Sequence, residues 1–249
     1  MKLRQFAAAV MMMAITQAIL VGCGGGGDGG TVAELPTVKT SKGLWVGKQG
    51  TNNTSAIVLA NGEAWLVFQE SGITTRFARI QTQTGGTNYS GGGNQYLLQS
   101  GKTETASVSG TFVEKSNLSG SMTAGGNGVK TDFILAYDGQ YDKPASLNDA
   151  VGSWNGSFGV GTRTMTVAAT TGALTGTSTT GCNYLGELQI RAADPALFDV
   201  NFTETCPTAN PPTYSSFAGI ATVNAAKNSI SFAVTTNDKK SGALFMGQK

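Results

Sequence analysis

Residues 182–206 read CNYLGELQIRAADPALFDVNFTETC, and this pattern is typical of a β-hairpin. Asp194 and Pro195 form a turn signal at the midpoint, and a hairpin centred there pairs residues whose numbers add to 388. The even-numbered positions are then mostly apolar and the odd-numbered positions mostly polar. A half-buried hairpin requires this separation, because successive side chains of a strand point to opposite faces.

The rest of the chain extends this pattern into two similar halves. Gly43-Leu44-Trp45-Val46-Gly47 opens the first, and Gly152-Ser153-Trp154-Asn155-Gly156 opens the second. Turn-forming residues divide each half into eight short β-like runs. The runs of the first half lie near residues 44–49, 55–60, 64–70, 76–82, 95–99, 105–112, 118–123 and 131–137. Those of the second lie near residues 154–158, 163–169, 174–178, 183–191, 198–204, 217–223, 229–235 and 243–247.

Closely spaced strands with short turns predict antiparallel meanders, and eight strands can close into a barrel without exposed edges. We therefore expect an all-β protein with a first barrel domain over residues 43–141. A linker turn and second barrel domain follow over residues 142–249. Ser146 begins a capping-box sequence, which predicts a short helical turn that plugs the mouth of the second barrel.

Composition excludes several classes of function. Charged residues make up only 13% of the chain, 35 of the 249 residues are Gly, and there is no His. Helical bundles are disfavoured, and His-dependent catalysis and His-ligated metal sites are excluded. With 17 basic and 15 acidic residues there is no basic patch for nucleic acid. We expect no cofactor, no metal and no catalytic residue.

The N-terminal residues have the features of a targeting signal. Lys2 and Arg4 precede a mostly apolar run that ends in Leu20-Val21-Gly22-Cys23, and residues 24–30 are Gly except for Asp28. Leu20 to Cys23 resemble a bacterial lipobox, which implies a signal peptide over residues 1–22 and a lipidated Cys23. Residues 23–42 would then form a flexible leash. An ordinary secretory signal is the alternative.

The resemblance also implies where the protein lies. Several acyl chains on Cys23 would anchor it stably to a membrane. Gly24, where Asp would imply retention at the inner membrane, favours the outer membrane. Removing residues 1–22 takes away Lys2 and Arg4, so 15 basic residues remain against 15 acidic ones. The mature chain is neutral and exerts no long-range electrostatic steering.

With Cys23 lipidated, Cys182 and Cys206 remain as a pair. Outside the cytoplasm such a pair predicts a disulfide, and the hairpin register places the two cysteines opposite each other. Two buried free thiols are the alternative. In the same register Glu204 faces Tyr184 on the inward side. Glu204 is either a ligand-anchoring carboxylate at a barrel rim or a solvated rim residue.

Two further segments are candidate binding sites. Gly-rich residues 85–93 predict a long flexible hairpin tip with Tyr89 as a contact residue, or an unselected loop. We expect its deletion to leave the fold intact. Residues 65–68, WLVF, are apolar on both strand faces, whereas a barrel strand should bury only one. The surplus apolar face packs against the other half or meets a partner, and Trp65 and Phe68 are the candidate binding residues of this segment.

The Gly-x-Trp openings and the run of residues 166–177 resemble avidin-like and lipocalin-like barrels. Biotin binding is not implied, because no Trp follows Trp154. The whole layout resembles surface lipoproteins of the factor H-binding and transferrin-binding protein B type. That resemblance implies a non-catalytic binding module with a host or cell-surface protein partner, but it assigns no binding residue. The alternatives are a periplasm-facing carrier of a small apolar ligand inside a barrel, and an enzyme that uses carboxylates alone.

Overall fold

The computed structural model describes residues 39–157, 162–168 and 170–249. The signal peptide, the lipidated Cys23 and the leash as far as residue 38 lie outside the described residues, as do residues 158 and 169 at the ends of two predicted strands. In the part of the chain that is described, no helix is long and apolar enough to cross a membrane.

The first eight strands form a closed antiparallel barrel in which each strand pairs with its neighbours in sequence and β1 pairs with β8. Its strands are β1 (Gly43–Gln49), β2 (Asn52–Val58), β3 (Glu63–Glu70), β4 (Ile73–Gly85), β5 (Asn88–Leu97), β6 (Thr103–Val113), β7 (Asn117–Ala124) and β8 (Val129–Asp138). A 3₁₀ turn, Gly139–Asp142, and the short helix α1, Leu147–Ala150, lead to the second barrel.

The second barrel closes in the same way, with β9 pairing both β10 and β16. Its strands are β9 (Gly152–Ser157), β10 (Thr162–Val167), β11 (Ala173–Ser178), β12 (Asn183–Ile190), β13 (Phe198–Cys206), β14 (Thr213–Val223), β15 (Ser229–Thr236) and β16 (Gly242–Gln248). The protein is thus two tandem eight-stranded antiparallel barrels, which confirms the predicted fold class.

Both barrels begin with the same device. The indole Nε1 of Trp45 donates to the carbonyl of Ser41 at 3.0 Å, and that of Trp154 donates to the carbonyl of Ala150 at 2.8 Å. Both rings are fully buried. The Gly that begins each Gly-x-Trp motif has a positive φ, 155° at Gly43 and 117° at Gly152, which residues with a side chain rarely adopt. The shared Gly-x-Trp sequence therefore closes one end of each barrel.

The linker forms the predicted helical turn. The Ser146 hydroxyl accepts from the backbone N–H of Asn148, and Ala150 at the end of α1 is buried in the core of the second barrel. The turn caps the barrel through Ala150. Its side chain lies in the core, and its carbonyl accepts the hydrogen bond from the Trp154 indole.

The central hairpin has the predicted register. β12 and β13 pair Asn183 with Thr205 and Ile190 with Phe198, and the residue numbers of every pair add to 388. Cys182 and Cys206 form a disulfide with a Cα–Cα distance of 4.1 Å. The turn signal at Asp194-Pro195, midway between the two cysteines, together with the alternation of polarity, predicted this pairing.

The flexible tip predicted for residues 85–93 is wrong. These residues belong to β4 and β5, which are paired down to Gly85 and Asn88 around a two-residue turn. A Cβ at Gly91 or Gly93 would collide with the carbonyl oxygen of Gln81 or Arg79 on the neighbouring strand. The glycines allow a close approach of two strands, and a run of Gly in the sequence does not distinguish this role from flexibility.

Candidate binding groove between the barrels

The two barrels pack side by side through a shared apolar cluster. Trp65, Phe77 and Tyr96 on the outer face of the first barrel are buried together with Ile220 and Leu244 of the second. Trp65 is only 1% exposed. Trp65 therefore packs against the other half, which was one of the two alternatives for the doubly apolar segment 65–68.

Polar contacts surround this cluster. Arg79 pairs with Glu63 at 2.7 Å, donates from Nη1 to Thr235 at 2.7 Å, and lies 4.9 Å from the centre of the Trp65 ring. At the turn between β15 and β16, the carbonyl of Lys239 accepts hydrogen bonds from the Tyr96 hydroxyl and from Asn94. These contacts hold the second barrel against β3 to β5 of the first.

A buried carboxylate joins the barrels at their plugged ends. Asp194 is 0% exposed, and its Oδ1 accepts from the Ala60 backbone N–H at 2.8 Å and from the Tyr141 hydroxyl at 2.5 Å. Its Oδ2 receives Arg191 Nε at 2.8 Å. One carboxylate therefore bonds the first barrel, the linker and its own hairpin turn.

Beside these contacts the barrels enclose an apolar groove. A cavity of about 150 Å³ is lined by Leu44, Ile57, Trp65 and Val67 from the first barrel, and by Ile220, Leu244 and Met246 from the second. A second cavity of about 570 Å³ shares Leu44 and Thr222 with it and extends to the linker. A third depression, of about 420 Å³, shares Val67 and continues over the outer face of β1 to β3 past Val46. Together these three spaces form the inter-barrel groove.

The interior of the first barrel is filled. Its core holds Trp45, Phe68 and Met122, all fully buried, and the cavity found there measures about 10 Å³. That volume is about the least that one water molecule needs. Around these residues, between the Trp45 plug and the middle of the barrel, the lumen therefore has no room for the small apolar ligand of the carrier alternative.

The candidate binding residues predicted from the sequence lie in different parts of the structure. Phe68 lies in the first barrel's core, so the prediction that it offers a binding surface together with Trp65 is wrong. Along β3 the side chain of Phe68 points inward, and those of Trp65 and Val67 point outward. Tyr89 is also inward and 6% exposed, with its hydroxyl donating to the Ser119 carbonyl at 3.2 Å. The prediction that Tyr89 is an exposed contact residue is wrong, because its segment is a paired strand.

Tyr184 and Glu204 do come together, as the register predicted. Tyr184 is buried and accepts from Arg163 Nε at 2.9 Å, and Glu204 is half-buried beside the disulfide. One carboxylate oxygen lies 3.2 Å from Cys206 Sγ. Glu204, Cys182 and Cys206 form a cluster, but the disulfide removes the thiolates that a metal ion would need. The pair thus lies in the second barrel, apart from the groove.

The second wall of the groove was missed in the sequence. Residues 243–246, ALFM, are apolar on both strand faces, as residues 65–68 are. Phe245 faces the core of the second barrel, while Leu244 and Met246 face the first barrel. A search of the second half for strands that are apolar on both faces would have identified this wall.

The molecule is therefore a tandem barrel protein with an inter-barrel groove. No protein family model matches the chain, and no curated protein sequence matches it. Among solved structures, two mutants of transferrin binding protein B from Haemophilus parasuis align with a TM-score of 0.29, at 7% and 6% identity. The alignments cover 80% of this chain and 65% and 66% of those proteins, so the chain spans about two thirds of their length.

Proposed function

We propose that this protein is a lipid-anchored, non-catalytic binding module of the outer membrane, and that the inter-barrel groove receives an apolar segment of a protein partner. The observation that carries the proposal is the groove itself. The apolar residues that line the groove are contiguous with the cluster that joins the barrels. Among the described residues, no side chain fills the groove.

A protein partner suits this groove better than an enclosed small ligand. The groove is long and open, and it continues across the outer surface of β1 to β3. Apolar side chains at its rim, Val46 and Met246, are exposed, while Lys48, Asn53 and Gln69 border them. An exposed apolar strip with a polar border is the usual form of a protein contact site. A neutral mature chain adds no long-range attraction, so recognition would depend on apolar contact.

Site-specific photo-crosslinking in intact cells tests the groove. A photoreactive residue at Val67 or Met246 should yield one discrete crosslinked species, because both positions line the groove. The matched control is Leu185 on β12, an apolar residue that is 70% exposed and lies on a strand that does not line the groove. Equal crosslinking at all three positions, or none at the groove positions, would reject the groove as the contact site.

A charge at the groove should abolish the same product. Val67→Glu introduces a carboxylate into the apolar wall, whereas Leu185→Glu places the same charge on open surface of the second barrel. We expect the first variant to lose the crosslink made from Met246 and the second to retain it. Circular dichroism of both variants would establish that each remains folded.

The anchor is tested separately. Cys23→Ser should release the protein from membranes or leave it unprocessed, and the unaltered protein should incorporate labelled palmitate. Protease treatment of intact cells then distinguishes the cell surface from the periplasmic face. A protein that takes up no lipid and is washed from membranes by salt would contradict the proposed location.

A further inference from the structure

The open end of the first barrel contains a polar layer that its apolar core does not explain. Along β4 the side chains of Ala78 and Ile80 face the lumen, and Arg76 continues this inward row. The register of β3 and β4 shifts between Phe68 and Gln69, which leaves Thr75 without a paired residue. Such bulges commonly redirect a side chain, here toward the end of the barrel opposite the Trp45 plug.

Arg76 crosses the lumen. Its Nη2 donates to Thr131 Oγ1 at 3.1 Å, and Thr131 lies on β8, four strands away in an eight-stranded barrel. The guanidinium carbon is 4.9 Å from the centre of the Phe68 ring, so Phe68 forms the floor beneath the cation. Arg76 is partly exposed, and among the described residues no carboxylate lies within ion-pair distance of it.

Several buried polar atoms around this cation have no hydrogen-bond partner. Arg76 Nε is one of them. Thr54 and Gln95, which also face inward and are each 3% exposed, contribute Oγ1 and Oε1. The Gln95 Nε2 donates to Glu104 Oε2 at 3.1 Å, so the amide orientation is fixed and its oxygen is the unpaired atom. Gln49 Oε1, at the end of β1, is also unpaired.

Buried polar groups are normally satisfied, and a cluster of unpaired ones requires an explanation. This cluster combines a guanidinium, which prefers carboxylate and phosphate oxygens, with amide oxygens that need donors. Glu104 stands in the same layer and would repel a doubly charged phosphate more than a singly charged carboxylate. The atoms therefore match a molecule that has one carboxylate and donor groups of its own.

We propose that the mouth of the first barrel binds a small hydroxy or amino carboxylic acid. Its carboxylate pairs with Arg76 beside Thr54 and Thr131, and its hydroxyl or amino groups donate to Gln95 and Gln49. This site is separate from the inter-barrel groove and does not depend on the function proposed for it.

Nuclear magnetic resonance of the Arg76 Nε–H group tests the site directly in the two-barrel protein. D-glucuronate is the probe, D-glucose is the uncharged control, and inorganic phosphate tests the preference for one charge. At about 10 mM glucuronate, a concentration suited to weak binding, the Arg76 signal should shift and saturate. Glucose should leave it unmoved, and phosphate should bind more weakly.

Variants establish that the cation recognises the carboxylate. Arg76→Met retains a long side chain over Phe68 and should abolish binding measured by calorimetry. Arg76→Lys keeps the charge but loses the planar fork, and should weaken binding at least about tenfold. Lys130→Gln removes an exposed charge beside Thr131 and should bind as the unaltered protein does. Undiminished binding in Arg76→Met, or no shift of the Arg76 signal with glucuronate, would overturn the proposal and assign the layer to water alone.

Discussion

At the scale of single residues, Asp194 shows how much one side chain contributes to this architecture. In the sequence Asp194 is recognisable only as a turn former before Pro195. In the structure its two oxygens receive three donors, from Ala60, Tyr141 and Arg191. A fully buried carboxylate is tolerated because its charge is paired and its oxygens are occupied. The turn residue is therefore also the polar centre of the barrel junction.

Asp194→Ala should lower the free energy of unfolding by about 3 kcal/mol, because it leaves the buried Tyr141 hydroxyl, the Ala60 N–H and the Nε of Arg191 without their acceptor, while Asp199 still pairs with the Arg191 guanidinium. Denaturant unfolding measures the loss. Tyr141→Phe removes one of the three donors and should cost about 1 kcal/mol. Asp132→Ala, which removes an exposed carboxylate that pairs with Lys130, is the control and should change nothing measurable. A loss no larger than that of the control would refute the role assigned to Asp194.

Two tyrosines, one buried and one half-buried, make the protein sensitive to alkali. Burial and the hydrogen bond to Asp142 raise the pKa of Tyr137 to about 12, and burial raises the pKa of Tyr89 well above its usual range. In the unfolded chain both hydroxyls ionise near pH 10. The stability that these groups contribute is present below that pH and is lost as the pH rises through the folded pKa.

We therefore expect the free energy of unfolding to fall between about pH 10 and about pH 12. Tyr89→Phe should make that fall shallower, because the phenyl ring cannot ionise. Tyr214→Phe, which alters a ring that is 72% exposed, should leave the slope unchanged. Chemical denaturation across this pH range provides the measurement, and identical slopes in all three proteins would contradict the assignment.

At the scale of elements, the β12–β13 hairpin is held by both its polarity pattern and its disulfide. The cysteines are 24 residues apart, and the bridge fixes the open end of the hairpin. Replacing both Cys182 and Cys206 with Ser should cost about 3 kcal/mol by the loop-entropy relation. The comparison is between the double variant and the oxidised protein by thermal unfolding. Reduction of the unaltered protein should give the same loss, and reduction of the double variant should have no effect.

The β4–β5 hairpin is the element whose sequence was misinterpreted. Its glycines allow strands to approach, and Tyr89 fills the core between them. Deleting residues 85–93 should therefore unfold the first barrel, contrary to the expectation from sequence. Replacing only the turn residues Gly86 and Thr87 with Asn-Gly suits a two-residue hairpin and should preserve the fold. Circular dichroism and a melting curve distinguish the two outcomes, and a cooperative transition in the deletion variant would show that the strands can be shortened.

At the scale of the whole molecule, the two barrels share an apolar junction although each has its own core. The strand sets do not mix, since every pairing of β1 to β8 and of β9 to β16 stays within its barrel. Leu197, Ile220 and Leu244 of the second barrel are covered by the first. Each half therefore has the strand pairing and the core of a barrel, but part of its outer face is buried by the other half.

A polypeptide of residues 142–249 should fold into a β-rich, cooperative unit but self-associate, because its junction face is uncovered. Leu244→Lys should restore the monomer by placing a charge on that face. Size-exclusion chromatography and circular dichroism provide the two readouts. The absence of a β signal would contradict the predicted domain boundary, and a stable monomer without Leu244→Lys would show that the junction contributes little.

The amino-acid sequence alone was sufficient to predict the local structure of this protein, that is, its strands, the register of one hairpin and the ends of its barrels. Turn residues and short β-like runs predicted the strand positions. The turn midway between Cys182 and Cys206, with the alternating polarity around it, predicted the register of residues 182–206, since a one-residue slip would turn every apolar side chain outward. The Gly-x-Trp repeats and the Ser146 cap marked where each barrel closes. Only three-dimensional packing decided which apolar face of residues 65–68 meets the second barrel, why residues 85–93 need Gly, and that Asp194 and Arg76 are enclosed. Those features depend on residues far apart in the chain coming within a few ångströms, and short-range periodicity carries no information about such approaches.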